Sequence, residues 1–236
     1  MRTIASEKNM SVLRMYAVNV VLWVYYTARK IASVIVGKYR VSDKGAILSV
    51  LEGLYPLATD KKLVRMGPAG DGGYLVPDDL EDIEACFSPG VGELSGFEKE
   101  CAELGMKIYM ADGSVDHPGE TDNRFFFIKK FIGPESSEDF ITMDNWVASS
   151  IPDSGSDLLL QMDIEAHEYD SILGMSDSLL NRFRIIIIEF HCLYHFWDPV
   201  FLERADKTFR KLLRQHSCVH IHPNNICGIF SFGGLD

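Results

Sequence analysis

From Leu158 to Asp170 the chain reads LLLQMDIEAHEYD: an apolar run, Leu158 to Met162, turns abruptly into four acidic groups, Asp163, Glu165, Glu168 and Asp170. Apolar spacing resumes at Ile172 and Leu173. A strand buried on both faces, an acidic mouth and then a helix is the order of parts of a parallel α/β sheet, whose ligands bind beyond the carboxyl ends of the strands. About fifteen residues on, RIIIIEFH from Arg184 to His191 repeats the design, with four isoleucines ending in Glu189 and His191. Two such strands side by side place Asp163, Glu189 and His191 around one cleft.

The upstream chain reads as what supplies that cleft. A short strand from Ile83 to Phe87 runs into SPGVGELSGFE, where Gly90, Gly92 and Gly96 permit a sharp strand-to-helix turn and a close approach of backbone to a ligand. Such a turn suits nicotinamide, flavin and adenosyl cofactors alike. The next strand, Lys107 to Ala111, ends at Asp112, about twenty residues beyond the glycines, where a carboxylate can face the two hydroxyls of a ribose. The plain alternative for Asp112 is a turn acid. Ahead of this unit, LVRMGPAGDGGYLV sets four glycines, Gly72 among them, around Asp71, and reads either as a hairpin turn or as a backbone-lined rim over a ligand.

Further strands are expected at Arg124 to Phe131 and Cys218 to Ile221, the latter leading to His222 and Asn225. Helices are expected at Phe97 to Leu104, from a cap at Thr142 or Asp144, at Met175 to Phe183 and at Pro199 to His216. A net charge of −11 without a basic run argues against nucleic acid as partner, because neutralising phosphates takes clustered Lys and Arg. The five cysteines are scattered with no CxxC pair, which points to a reducing, cytoplasmic setting and away from a zinc or disulfide framework.

The N-terminal sixty residues read as a helical extension to a domain spanning 61–236. Met15 to Tyr26 is apolar almost all round, with Arg14 before it and Arg29 and Lys30 after it, and the helical segment is expected to end at Gly37. The fourteen residues between those charges make about 21 Å of helix, against a hydrocarbon core of about 30 Å. Residues 11–37 therefore read as a helix packed on its own domain or on a partner subunit, as a membrane-surface helix, or as an anchor. A second helical pattern, Ile47, Leu48, Leu51 and Leu54, stops at Pro56.

SPGVGELSGFE, Asp112, TMDNWV, LLLQMDIEAHEYDSIL, RIIIIEFH and HIHPNN together resemble the FkbM-type methyltransferases, over roughly Leu63 to Asn225. In that family the middle signature carries Gly-Ala where this chain has Ala166-His167. The resemblance implies a doubly wound, mostly parallel seven-stranded Rossmann-like sheet in the order 3-2-1-4-5-7-6, with S-adenosylmethionine across the ends of strands 1, 2 and 4. It implies Gly90 and Gly92 against the methionine moiety, Asp112 on the ribose, and Asp163 near the amino group or the transferring methyl. Asp71 and Gly72, in a DGGY segment, are expected to close over the cofactor, and Ile226 to Phe232 is left to serve as the last strand.

The activity implied is methyl transfer to a hydroxyl of a sugar, glycan or small metabolite. A hydroxyl needs a base or a metal to become a nucleophile. His191 is the first candidate base, paired with Glu189, and His167 the second. Asp163, Glu189 and His191 are also a hard or borderline donor set for Mg2+ or Mn2+. Two other readings stand beside this one: an NAD-dependent oxidoreductase, supported by the glycine turn and Asp112 but lacking a Tyr-x-x-x-Lys pair, and a non-catalytic binding protein on a degenerate methyltransferase domain.

Overall fold

The computed structural model of the chain describes residues 19–32, 40–92, 94–152, 155–223, 231–232 and 234–235. Two helices come first, α1 (residues 19–32) and α2 (Lys44–Gly53). Asp43 caps α2 by accepting from the amides of Gly45 and Ala46. Then follow β1 (Leu63–Met66), β2 (Tyr74–Pro77), β3 (Ala85–Pro89), α3 (Gly96–Glu103), β4 (Lys107–Ala111) and β5 (Phe125–Ile128). Next are β6 (Phe131–Ile132), β7 (Phe140–Ile141), α4 (Met143–Ser150), β8 (Leu158–Met162), α5 (Glu168–Gly174) and α6 (Asp177–Leu180). The last are β9 (Phe183–Ile188), a 3-10 turn (Leu193–Trp197) and α7 (Pro199–Leu213). The expected helix end at Gly37, Asn225 and, of the candidate last strand, Ile226 to Phe230 lie outside the described residues.

The molecule divides into two units. One comprises Met1–Leu54, Leu193–Asp206 and Ile221–Asp236; the other comprises Tyr55–Cys192 and Lys207–His220. The first thus joins the N-terminal helices, read from the sequence as an extension of residues 1–60, to residues from much later in the chain. Within it Tyr26 is wholly buried, and its hydroxyl lies 2.6 Å from His195 Nδ1. Burial, followed by the charge of Asp198, raises the Tyr26 phenol well above its usual range.

The second unit holds a parallel sheet of five strands in the order β5-β4-β3-β8-β9. Chain order reverses direction between β3 and β8, which makes their carboxyl ends the switch point of a doubly wound sheet. Strand alternation splits β8 between two cores. Leu158, Leu160 and Met162 pack with Phe87, Trp146, Ile172 and Phe183, while Leu159 packs on the opposite face with Cys86, Phe97, Cys101 and Ile108. That is why Leu158–Met162 is an unbroken buried run. Thr142 caps α4 through the amide of Asn145, as the sequence suggested.

Several elements depart from expectation. The strand drawn from Arg124 to Phe131 breaks after Ile128, where the amide of Lys130 bonds back to the Ile128 carbonyl at 3.0 Å and β6 then pairs with β7. The helix expected over Met175 to Phe183 is only the short α6, Asp177–Leu180, and Phe183 already begins β9. α5 ends at Gly174, and the Ser176 hydroxyl caps α6 by accepting from the amide of Leu179. Cys218 to Ile221 is not a strand: the Cys218 carbonyl takes a single backbone bond, 2.8 Å from the amide of Leu57, and no ladder forms. In β9 the isoleucines after Ile185 are only partly buried, because among the described residues this strand is an edge of the sheet.

Candidate functional site

Four adjacent strands end in step. The first residue beyond each donates its amide across to the neighbouring strand: Asp112 to Ile128, Gly90 to Ala111, Asp163 to Pro89 and Glu189 to Met162, at 2.9 to 3.2 Å. The ladder bonds thereby set Asp112, Gly90, Asp163 and Glu189 in one row along the carboxyl edge of the sheet. Gly90 has φ +83°, and a Cβ there would stand 1.6 Å from the Asp163 carbonyl oxygen. Only glycine allows the β3 exit to pass this close to the β8 exit. Gly92 is different: nothing lies within 4 Å of its Cβ position, and its φ of +49° is what favours glycine there.

Asp112 is buried, with both oxygens occupied. Oδ1 accepts from the amide and hydroxyl of Ser114 at 2.8 and 2.6 Å, and Oδ2 from the amide of Gly92 at 3.2 Å. Its observed work is to tie the glycine turn to the end of β4. Asp71 is exposed and bonds the amide of Gly72 at 3.1 Å, so it shapes the turn of the β1-β2 hairpin. Tyr74, at the start of β2, does reach the central strand: Gln161 Nε2 donates to its hydroxyl at 3.0 Å. Burial, followed by the charge of Asp163, holds the Tyr74 phenol well above its usual pKa.

His191 lies past the end of β9, and the Tyr169 hydroxyl donates to its carbonyl at 2.8 Å. Its Nδ1 donates to Glu168 Oε1 at 2.9 Å, which leaves Nε2 3.6 Å from Asp163 Oδ1 and 3.7 Å from Glu165 Oε2. Glu168 is completely buried, and its Oε1 also accepts from the amides of Ile164 and Ala166, so the side chain organises the DIEAHE turn and orients the imidazole. The Glu168 hydrogen bond raises the His191 pKa to about 9, so the imidazole is protonated at neutral pH. Asp163 moves to about 6, first through burial and then through the charge of Glu189. Its Oδ1 is buried with no hydrogen-bond partner.

The donor atoms of Asp163, Glu165 and His191 all fall within 4.8 Å of one another. Glu165 stands in that cluster where strand periodicity pointed to Glu189, because His191 is reached through a loop that continues past the strand. His167 is exposed at the start of α5, its ring centroid 6.3 Å from that of Phe140. A neutral imidazole ready to take a proton at pH 7 was the expectation for His191; the carboxylates around it reverse that.

Behind the row lies a buried polar line that no motif announced. Ser88 Oγ is 2.6 Å from Glu98 Oε1 and 2.7 Å from Gln161 Oε1. One hydroxyl proton cannot serve both oxygens, so either Glu98 is protonated and donates to Ser88 or the Gln161 amide turns its nitrogen toward Ser88. Burial independently raises the Glu98 pKa. The signals for Glu168 and Glu98 were present only as acids at the starts of amphipathic helices. Comparisons with protein-family models, curated proteins and solved structures find no match for this chain.

Proposed function

We propose that the chain is an S-adenosylmethionine-dependent methyltransferase acting on a hydroxyl of a sugar, glycan or small metabolite. The observation that carries the reading is the row Asp112, Gly90, Asp163 and Glu189 along the carboxyl edge of the switch point. The described strand order is that of positions 3-2-1-4-5 in the seven-stranded sheet, and the full sheet belongs to the proposal. An acceptor oxygen that is buried without a donor, Asp163 Oδ1, fits the ammonium or sulfonium side of this cofactor. When bound, S-adenosylmethionine supplies a methyl group on a positively charged sulfur, open to in-line displacement.

Gly90 and Asp163 would flank the methionine moiety, with Asp112 holding the turn that faces the ribose. Near neutral pH His191 is a cation and Asp163 mostly a carboxylate, so Asp163 accepts the hydroxyl proton while His191 offsets the carboxylate charge around it. Tyr74 keeps its phenol proton and can donate to the acceptor. A second reading rests on the Asp163, Glu165 and His191 cluster. With its Nε2 deprotonated, His191 would join the two carboxylates in holding Mg2+ or Mn2+, which would polarise the acceptor oxygen.

The test is calorimetric titration with S-adenosylmethionine and with NAD, each with and without Mg2+ or Mn2+. Binding of S-adenosylmethionine at micromolar concentration, and not of NAD, is expected. A metal-dependent change in its affinity would favour the second reading. Binding of NAD alone would replace the proposal with hydride transfer, and binding of neither would reject a nucleotide cofactor.

A further inference from the structure

Helix α1 presents the wrong face to water. Leu22, Tyr26 and Arg29 recur at helical spacing and turn toward the helix's own unit. Tyr26 bonds His195, its ring centroid is 5.8 Å from that of Phe232, and Arg29 pairs with Asp198 at 2.5 Å. The opposite side exposes Val20, Val21, Trp23, Val24, Tyr25 and Ile31, each between 47% and 66% accessible. A solvated helix face carries mostly charged or polar residues, and here the exposed charge is Lys30 alone.

Charge along the chain says what covers that face. Residues 1–42 hold seven of the 23 lysines and arginines and one of the 34 acidic residues, so they carry +6 while the whole chain carries −11. From Lys8 to Ser42 there is no Asp or Glu at all. A second copy of this chain would bring two such segments together against their mutual repulsion, whereas anionic lipid attracts them. Trp23 and Tyr25 supply rings suited to the headgroup level of a bilayer. Among the described residues no helix is long and apolar enough to cross a membrane.

We propose that α1 docks the protein peripherally on an anionic lipid surface, its exposed apolar face entering the headgroup region and the basic segment supplying the attraction. The acidic remainder of the chain is repelled by the same surface, so attachment is confined to this end. The inference is independent of the methyltransferase reading.

The experiment is flotation of the full chain with phosphatidylcholine vesicles, with and without about one-third phosphatidylserine. Binding is expected to rise about tenfold or more with the anionic lipid, to fall at high salt, and to be lost in Val24→Glu and weakened in Lys30→Glu. Val24 is exposed, so circular dichroism of that variant should match the parent. Equal binding to neutral vesicles, no binding to either, or full binding by a folded Val24→Glu variant would each overturn the proposal. So would a dimer in sedimentation, abolished by Val24→Glu, with no vesicle binding.

Discussion

Ala166 has φ +76° and follows Glu165 at φ +53°, two consecutive side-chain-bearing residues in the left-handed region. An L-residue there costs about 1–2 kcal/mol, while glycine in its place gives back about 0.4–1 kcal/mol through a freer unfolded chain. The steric term wins, so Ala166→Gly should stabilise the protein by about 0.5–1 kcal/mol, read from urea unfolding. No gain would mean that the turn is not left-handed in solution. The family resemblance placed glycine at this position, and the backbone supplies the physical reason. Glu98 makes the pH-dependent case. Its folded pKa lies above the ordinary carboxyl value, chiefly through burial, so the native state binds more protons than the unfolded chain. Its contribution to stability therefore falls as pH rises from the ordinary glutamate range through the raised value. Glu98→Gln keeps a donor for Ser88 and removes the ionisation, so it should be more stable than the parent by about 1 kcal/mol at pH 7 and show no advantage near pH 4. A variant less stable at pH 7 would show that the buried group works as a carboxylate.

Among elements, the junctions matter more than the strands they end. Gly90→Ala sets a Cβ against the Asp163 carbonyl and also strains φ, and the atom it meets is backbone that cannot rotate away. A loss of about 3 kcal/mol or more is expected in denaturant unfolding, with any cofactor affinity falling in parallel. A parent-like unfolding midpoint would mean that β3 and β8 do not exit side by side. The same distinction explains what could be read from residues alone. Leu158–Met162 and Lys107–Ala111 were legible because strands buried on both faces are nearly continuous apolar runs. Gly90, Asp112, Asp163 and Glu189 were legible as strand-end residues because a parallel sheet sends every carboxyl end to one edge. The Glu165 and Glu168 contacts to His191 were not, since they depend on a turn with two left-handed residues and on a loop after β9 in which Cys192 is also left-handed, at φ +62°. Strand alternation says nothing about where a side chain points once the strand has ended. The false strand at Cys218–Ile221 has the same kind of cause, because a β-compatible sequence becomes a strand only where a neighbour offers a ladder.

At the scale of the molecule, burial is concentrated in a few strands. Every residue of β3 and β8 is buried, and each of these strands has a partner on both sides, whereas α2 buries only Ile47 and Val50. The β1-β2 hairpin forms a separate two-stranded sheet with one ladder. Amide protection follows the free energy of the smallest opening that frees a hydrogen bond. Exposing β3 or β8 requires separating strands on either side and opening both apolar cores, which amounts to unfolding the second unit. Fraying α2 or the hairpin requires far less. Hydrogen exchange at neutral pH should therefore run slowest over Ala85–Pro89 and Leu158–Met162, roughly a thousandfold or more slower than over Lys44–Gly53, with β5 intermediate because among the described residues it is an edge. A single uniform rate across these segments would mean that the two units open as one cooperative body. Graded protection would place the strand ends that carry Gly90 and Asp163 on the most stable part of the chain, where the row along the carboxyl edge keeps its spacing.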